Sequence, residues 1–352
     1  MTPTLDWLAE PCPPIDQTAV QHALARQDQL TKPPGSLGRL EELAVRLAGL
    51  QRTATPEVDP VRVLLFAADH GVAAEGVSRY PQDVTKQMVR NIANGGAGVA
   101  VMAKAVGAGL DIIELGLATG SEVVEGVRSE PLGPGSGNIA REPAMTPEQL
   151  ARALDIGRDA VDRAVDAGVR LIIGGELGIA NTTAAAALAS ALLDRAASEV
   201  VGPGTGLDSA GVNRKAEVVA RALALHASEP RAPLEMLRRL GGFEIAALTG
   251  AYLRAAQRGV AMLIDGFIVS SAALAAVRLQ PAARDWMLFS HRSAEPGHRL
   301  MMEALEADPL LDLGFRLGEA TGACAAVPLL RLACAVHRDM ATFDEAGVSN
   351  AC

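Results

Sequence analysis

From Val61 onward, short unbroken apolar runs alternate with longer segments of helical spacing, and this rhythm restricts the fold more than any other feature of the chain. The runs are VRVLLFAAD from Val61, LDIIELG from Leu110, VRLIIGGE from Val169, VAMLIDG from Val260, DWMLFSH from Asp285 and the approach to Glu319. A strand with one wet face alternates apolar and polar residues, whereas a continuous run fits a strand covered on both faces. Alternation with helices therefore predicts an α/β fold, a parallel sheet with helices on both faces. The polar residues fall at the ends of these runs: Asp69 and His70, then Glu114, Glu176, Asp265, and Ser290 with His291. Open sheets of this class bind ligands in the crevice outside the carboxyl ends of their strands, which puts these groups along one edge. Helix N-capping is the alternative reading of some of them, Asp265 above all.

A chain of 352 residues is long enough for one large domain with an appendage, and its 49% hydrophobic content argues against disorder. Net charge is −9, and no Lys/Arg cluster is interleaved with aromatics, which excludes a nucleic-acid groove and favours small-molecule work. Cys12, Cys324, Cys334 and Cys352 lack the spacing of a zinc site or a disulfide framework, so a reducing cytoplasm fits. The acidic, proline-broken N-terminus has neither the basic nor the apolar part of an export signal. Two apolar stretches, Gly168 to Leu193 and Gly259 to Val277, contain Glu176 and Asp265. Each reads as a buried strand running into a buried helix, not as a membrane span.

The first ~55 residues predict two helices; in the second, Leu37, Leu40, Leu43, Leu47 and Leu50 share one face and Ser36 is the expected N-cap. Pro131 to Pro143, rich in glycine and proline, is expected to be the least ordered piece, and the residues after Met340 a polar tail.

Five segments carry candidate chemistry. LGFRLGEATGA, Leu313 to Ala323, ends an apolar, strand-like run on Glu319 just before a helix start. Partial desolvation there would raise the carboxyl pKa and suit it to accept a proton near neutral pH. GGELGIANTT, Gly174 to Thr183, delivers Glu176 into a turn that Asn181, Thr182 and Thr183 extend into a helix. Free N–H groups and hydroxyls at such a start can hold phosphate or carboxylate, although ordinary capping uses the same residues. GPGTGLD, Gly202 to Asp208, has glycines that allow close approach to a phosphate, and Asp208 and Lys215 lie about two helical turns apart on one face. It has neither P-loop nor GxGxxG spacing. VSRYPQDVTKQMVRNIANGGAG, from Val77, could line a pocket for a flat heterocycle through Ser78, Tyr80, Gln82 and Gln87. In SHRSAEPGH, His291 and His298 lack the spacing of a helical zinc pair, so anion contact or capping is expected there.

These motifs, with TKPPGSLGRLEEL, ADHGVAAEGVSRYPQDVT, GNIAREPAMT and GGFEIAALTGA, resemble in order those of the nicotinate-nucleotide:dimethylbenzimidazole phosphoribosyltransferases, over about Asp16 to Met340. The resemblance implies a Rossmann-like parallel-sheet domain plus a small helical subdomain from the N- and C-terminal regions. Its helices would lie in 1–60, the large domain in 61–310, and the catalytic glutamate loop with the C-terminal helix in 311–352. It further implies a cytoplasmic homodimer that needs no metal or other cofactor and moves phosphoribose from nicotinate mononucleotide to 5,6-dimethylbenzimidazole. Glu319 matches the family's proposed base and Glu176 its second active-site carboxylate. Ser78, Tyr80, Gln82 and Gln87 fall in the acceptor region. Gly178, Asn181, Thr182, Thr183, Gly204, Thr205, Gly206, Asp208, Lys215, Ser290, His291 and Ser293 fall around the phosphoribosyl group. One departure is Ala180, where glycine is expected in many relatives.

The same chemistry with adenine, another benzimidazole or a phenol as acceptor is the near alternative. A catalytically silent nucleotide-binding protein is the more distant one.

Overall fold

The computed structural model describes residues 5–229 and 231–349, so Cys352 lies outside the described residues. Six strands form one parallel sheet: β1 (Val61–Ala68), β2 (Gly109–Gly116), β3 (Val127–Ser129), β4 (Leu171–Leu177), β5 (Ala261–Ile264) and β6 (Met287–Phe289). Their spatial order is β3-β2-β1-β4-β5-β6, the Rossmann-type order, with the change of winding direction between β1 and β4. β1 and β4 are buried along nearly their whole lengths, which is why their sequences carry no alternation.

Five of the six apolar runs are strands. The approach to Glu319 is not: the Leu310 amide donates to the Phe289 carbonyl at the end of β6, an isolated bridge joins Leu311 to His291 just past it, and the segment then runs irregularly. Pro309 has no N–H to donate, and Gly314 and Gly318 take φ values of +72° and +84°, so an extended ladder cannot continue. The sixth strand is instead β3, three partly exposed residues at the sheet edge, too short and too polar to stand out in the sequence.

The two apolar stretches behave as expected, β4 leading into the helix Asn181–Leu193 and β5 into Phe267–Leu279. No helix among the described residues is long and apolar enough to cross a membrane. At the N-terminus, Gln17–Gln29 is capped by Asp16, and Arg39–Gln51 buries Leu43, Leu47 and Leu50. Ser36 is not the cap of that second helix, and Leu37 lies outside it. The helix starts after Gly38, while Glu41 reaches back to accept from the amides of Leu37 (2.8 Å) and Gly35 (3.2 Å).

The C-terminal helix Thr321–Asp339 packs on Arg39–Gln51, and the Arg26 guanidinium donates to the His337 carbonyl at 2.6 Å. The segment after Met340 is more than a tail: Thr342 bridges Leu30 and caps a short helix, Phe343–Ala346. Nor is Pro131 to Pro143 loosely held, since the Ser136 amide donates to the Asp69 carbonyl and its own carbonyl accepts from Gly71, both at 2.8 Å. Glycine makes that packing possible: at Gly135, with φ +112°, a Cβ would lie 2.7 Å from the Asp69 carbonyl oxygen.

Candidate active site

A cleft of about 680 Å³ opens at the carboxyl ends of β4, β5 and β6. Glu176 from β4, Asp265 just past β5 and His291 just past β6 form its floor. Phe315 to Glu319 form one wall, Thr182, Gly204 and Thr205 another, and Tyr80, Val84 and Met88 face them from the segment that follows β1. Tyr80 and Leu317 are both more than half exposed and make its lip.

Glu319 is the middle residue of three in the left-handed region, Gly318 (φ +84°), Glu319 (+57°) and Ala320 (+67°). A left-handed conformation is unfavourable for residues with a Cβ, so tertiary contacts must hold this turn. Glycine at 318 is required: a Cβ there would stand 2.3 Å from Glu176 Oε1. That tight approach lets the Glu319 amide donate to Glu176 Oε1 (3.3 Å), while the Asn181 side-chain amide donates to Oε2.

Both Glu176 oxygens thus have partners, but neither Glu319 oxygen accepts a hydrogen bond among the described residues, and Oε2 is buried. Burial pushes the Glu319 carboxyl above the ordinary range. Glu176 is driven well above it, first by burial and then by the neighbouring carboxylates of Glu244, Asp265 and Glu319. Asp265 is raised by burial to about 7 against the opposing pull of backbone amides. Burial lowers His291 to about 4 and His298 to about 3, so both rings are neutral near pH 7.

At the Thr182 end, the buried Lys215 ammonium donates to Thr182 Oγ1 at 2.6 Å and lies beside Gly204, whose φ is +54°. Burial lowers Lys215 to about 8. Thr182, Gly204 and Thr205 line the cleft with this cation directly behind them, a constellation that suits an anion. Among the described residues no group of three or more His, Cys, Asp or Glu side chains could hold a metal ion.

Of the residues marked in the sequence, Glu319, Glu176, Tyr80, Gly178, Asn181, Thr182, Gly204, Thr205, His291 and Ser293 line the cleft. Others lie behind or beside it. Thr183 and Ser290 are fully buried, and the Ser290 hydroxyl pairs with His291 Nδ1 at 3.0 Å. Gln82 donates to the His70 carbonyl (3.0 Å), the Ser78 hydroxyl accepts from the Tyr80 amide (3.2 Å), and Gln87 is exposed on the helix Asp83–Ala93. Gly206 offers its carbonyl to Arg79 at 3.0 Å. Asp208 and Lys215 do not share a face: Asp208 is the exposed N-cap of Ser209–Leu225 and accepts from Gly211, whereas Lys215 turns inward. The N-cap residue has extended backbone, so helical spacing cannot be counted from it.

Among the strand-end groups, Asp69, His70 and Glu114 serve the fold. Asp69 accepts from Thr85 and Ala118, His70 pairs with the buried Glu244 at 2.7 Å, and Glu114 accepts from Ser129. Sequence reasoning missed Glu295, a buried cleft residue whose Oε1 accepts from the Gly204 amide at 2.9 Å. An acid directly before Pro-Gly at a helix start was the available signal. It also missed Phe315 and Arg316, which reach the cleft only through the irregular path of their segment.

A family model described as "Phosphoribosyltransferase" matches residues 12–348. The chain is 60% identical to the nicotinate-nucleotide–dimethylbenzimidazole phosphoribosyltransferase of Azotobacter vinelandii, over 98% of this chain and 99% of that one. It is 57% identical to the protein of the same name from Pseudomonas putida, over 99% of both. The crystal structure of CobT from Thermus thermophilus superposes with a TM-score of 0.91 at 47% identity, covering 95% of this chain and all of that one. With a family match over nearly its whole length, full-length relatives above half identity and a parallel sheet whose strand ends open into an acidic cleft, the chain belongs to this phosphoribosyltransferase family and is an enzyme of that class.

Proposed function

We propose that the enzyme transfers phosphoribose from nicotinate mononucleotide to 5,6-dimethylbenzimidazole, yielding α-ribazole 5′-phosphate and nicotinate. The observation that carries this reading is Glu319, buried at the cleft wall with neither carboxylate oxygen engaged by any of the described residues. The names of the full-length relatives support the substrates.

The glycosidic C–N bond breaks and its electron pair leaves with the pyridine nitrogen, which is cationic in the substrate and neutral in nicotinate. One benzimidazole nitrogen attacks the anomeric carbon from the opposite face, inverting β to α. The proton on the other ring nitrogen passes to Glu319, which raises the nucleophilicity of the attacking nitrogen. Glu176, fixed by Asn181 and the Glu319 amide, faces the positive charge that develops on the ribose carbon, and that charge favours its ionised form against the burial that raises its pKa. Lys215, acting with Thr182, Gly204 and Thr205, takes the phosphate. Tyr80 and Leu317 at the lip offer flat and apolar surface to the acceptor ring. Glycosyl transfer to a nitrogen with a cationic leaving group does not require a metal. We place the enzyme in the cytoplasm as a homodimer, with the terminal helices as its small subdomain.

Purified protein given nicotinate mononucleotide and dimethylbenzimidazole should release nicotinate, and no release would overturn the assignment. Equal concentrations of dimethylbenzimidazole, adenine and a phenol should give mainly the benzimidazole product; a preference for either of the others would overturn the choice of acceptor.

A further inference from the structure

The helix Thr321–Asp339 begins immediately after Glu319 and Ala320, and its N-cap is Ala320, which has no side-chain oxygen to satisfy the first amides. The missing acceptor comes from another part of the sheet. Asp265, just past the end of β5, accepts from the Ala323 amide at 2.8 Å, and the amides of its neighbour Gly266 and of Ala320 and Gly322 also turn toward its carboxylate. Asp265 does not cap the helix that follows it in sequence. That helix, Phe267–Leu279, has Gly266 at its N-cap and no side-chain cap.

Three further observations tie this carboxylate to the position of Glu319. Three of the four amides it gathers, those of Ala320, Gly322 and Ala323, begin one position after Glu319, so holding them fixes where the left-handed turn must end. The turn is unfavourable for Glu319 and Ala320 and needs an external restraint. Of the other charged or titratable groups around Asp265, Glu176 holds the middle of the turn by accepting from the Glu319 amide at 3.3 Å, which leaves the end of the turn to Asp265. His291 Nδ1 stands at 3.6 Å and is engaged by Ser290. The Tyr252 hydroxyl has no partner among the described residues, and Cys324 is a buried thiol.

We propose that Asp265 is a positioning residue for the base: by capping the helix Thr321–Asp339 from β5, it locks the Gly318–Glu319–Ala320 turn and so holds the Glu319 carboxylate at the cleft wall. The catalytic part of this inference rests on Glu319 acting as the base; the conformational part does not. Asp265→Asn keeps the volume and one acceptor oxygen but brings an amide group against backbone N–H donors, while Asp265→Ala removes the cap.

For Asp265→Asn, kcat should fall about 10- to 100-fold per titrated active site, with KM for nicotinate mononucleotide changed less than about threefold. Combined with Glu319→Gln, the Asp265→Asn change should cost almost nothing more than Glu319→Gln alone, because residues that act as a unit are not additive. Losses that multiply in the double variant, or a change confined to KM, would overturn the proposal. A crystal structure of Asp265→Asn is the second measurement. Departure of Glu319 from its left-handed φ is expected, and an unmoved turn would overturn the proposal whatever the reaction proves to be. If Glu319→Gln alone left turnover intact, the base assignment would fall, and the crystal structure would still decide whether Asp265 sets the turn.

Discussion

Glu176 and Glu319, two of the three glutamates that line the cleft, sit beside helix starts that look alike and are built differently. After Glu176 the helix Asn181–Leu193 starts from Ala180, at φ +75°; after Glu319 the helix Thr321–Asp339 starts from Ala320, at φ +67°. Neither alanine can cap its helix. At the second start Asp265 fills the gap; at the first no side chain does among the described residues, and Thr182 faces the cleft with Lys215 behind it. A helix end already satisfied by an internal carboxylate can orient a neighbouring side chain, whereas an uncapped one can receive an anion from the substrate. The carboxylates differ in the same sense. Glu176 stands on a central strand and is engaged at both oxygens, while Glu319 hangs from an irregular segment with both free of partners among the described residues.

If Glu319 is the group that moves a proton, Glu319→Gln should have the largest effect, lowering turnover by about 10² to 10⁴ while nucleotide binding, followed by calorimetry, survives. Glu176→Gln should cost about 10² in turnover, the scale of losing one electrostatic stabiliser. Equal losses at the two positions would erase the distinction between a free base and a fixed stabiliser. Gly318→Ala tests the contact that joins them. A methyl group 2.3 Å from Glu176 Oε1, on a backbone at φ +84°, should destabilise the fold by about 1–3 kcal/mol in urea denaturation and lower turnover by about tenfold.

Acid–base behaviour should separate the two ends of the cleft. A base must be deprotonated, so kcat/KM should rise with pH through a value above the usual carboxylate range, matching the raised Glu319 carboxyl. A cation is lost as pH rises through its pKa, so KM for the nucleotide should increase above about pH 8, where Lys215 discharges. A nucleotide KM that rises only near about pH 10, the ordinary lysine value, would overturn the lowered pKa, and one that does not rise even above it would remove Lys215 from phosphate binding. The smallest effect belongs to Ala180→Gly. Relief of left-handed strain is opposed by lost methyl burial and by the entropy of glycine, leaving a stability change below about 1 kcal/mol. A larger loss would show that the Ala180 methyl is needed for packing.

The strand-end acids, the lengths of the buried runs and the glycine turns were all legible from local pattern, because a strand covered on both faces leaves an unbroken apolar run. The irregular path from Asp308 to Gly318 was not legible: its apolar residues mimic a strand, and only the proline, the left-handed glycines and the lack of a ladder partner break it. β3 escaped notice for the opposite reason, being held by β2 and not by its own propensity. Within the site, Glu176 and Glu319 were read directly. Glu295 and the destination of the Asp265 carboxylate were not, since both depend on segments that meet only in the folded chain.

By itself the sequence determined the α/β architecture, the edge on which polar groups gather and the two glutamates, because periodicity and glycine placement are local properties. Tertiary structure alone decided which strand-end acids face the cleft and which brace the fold. It also decided that Lys215 lies behind Thr182 instead of beside Asp208, and that the helix following Glu319 is capped by a residue far away in the chain. The reason is physical: a buried carboxylate or ammonium goes where its hydrogen-bond partners are, and chain topology, not sequence spacing, brings those partners within reach.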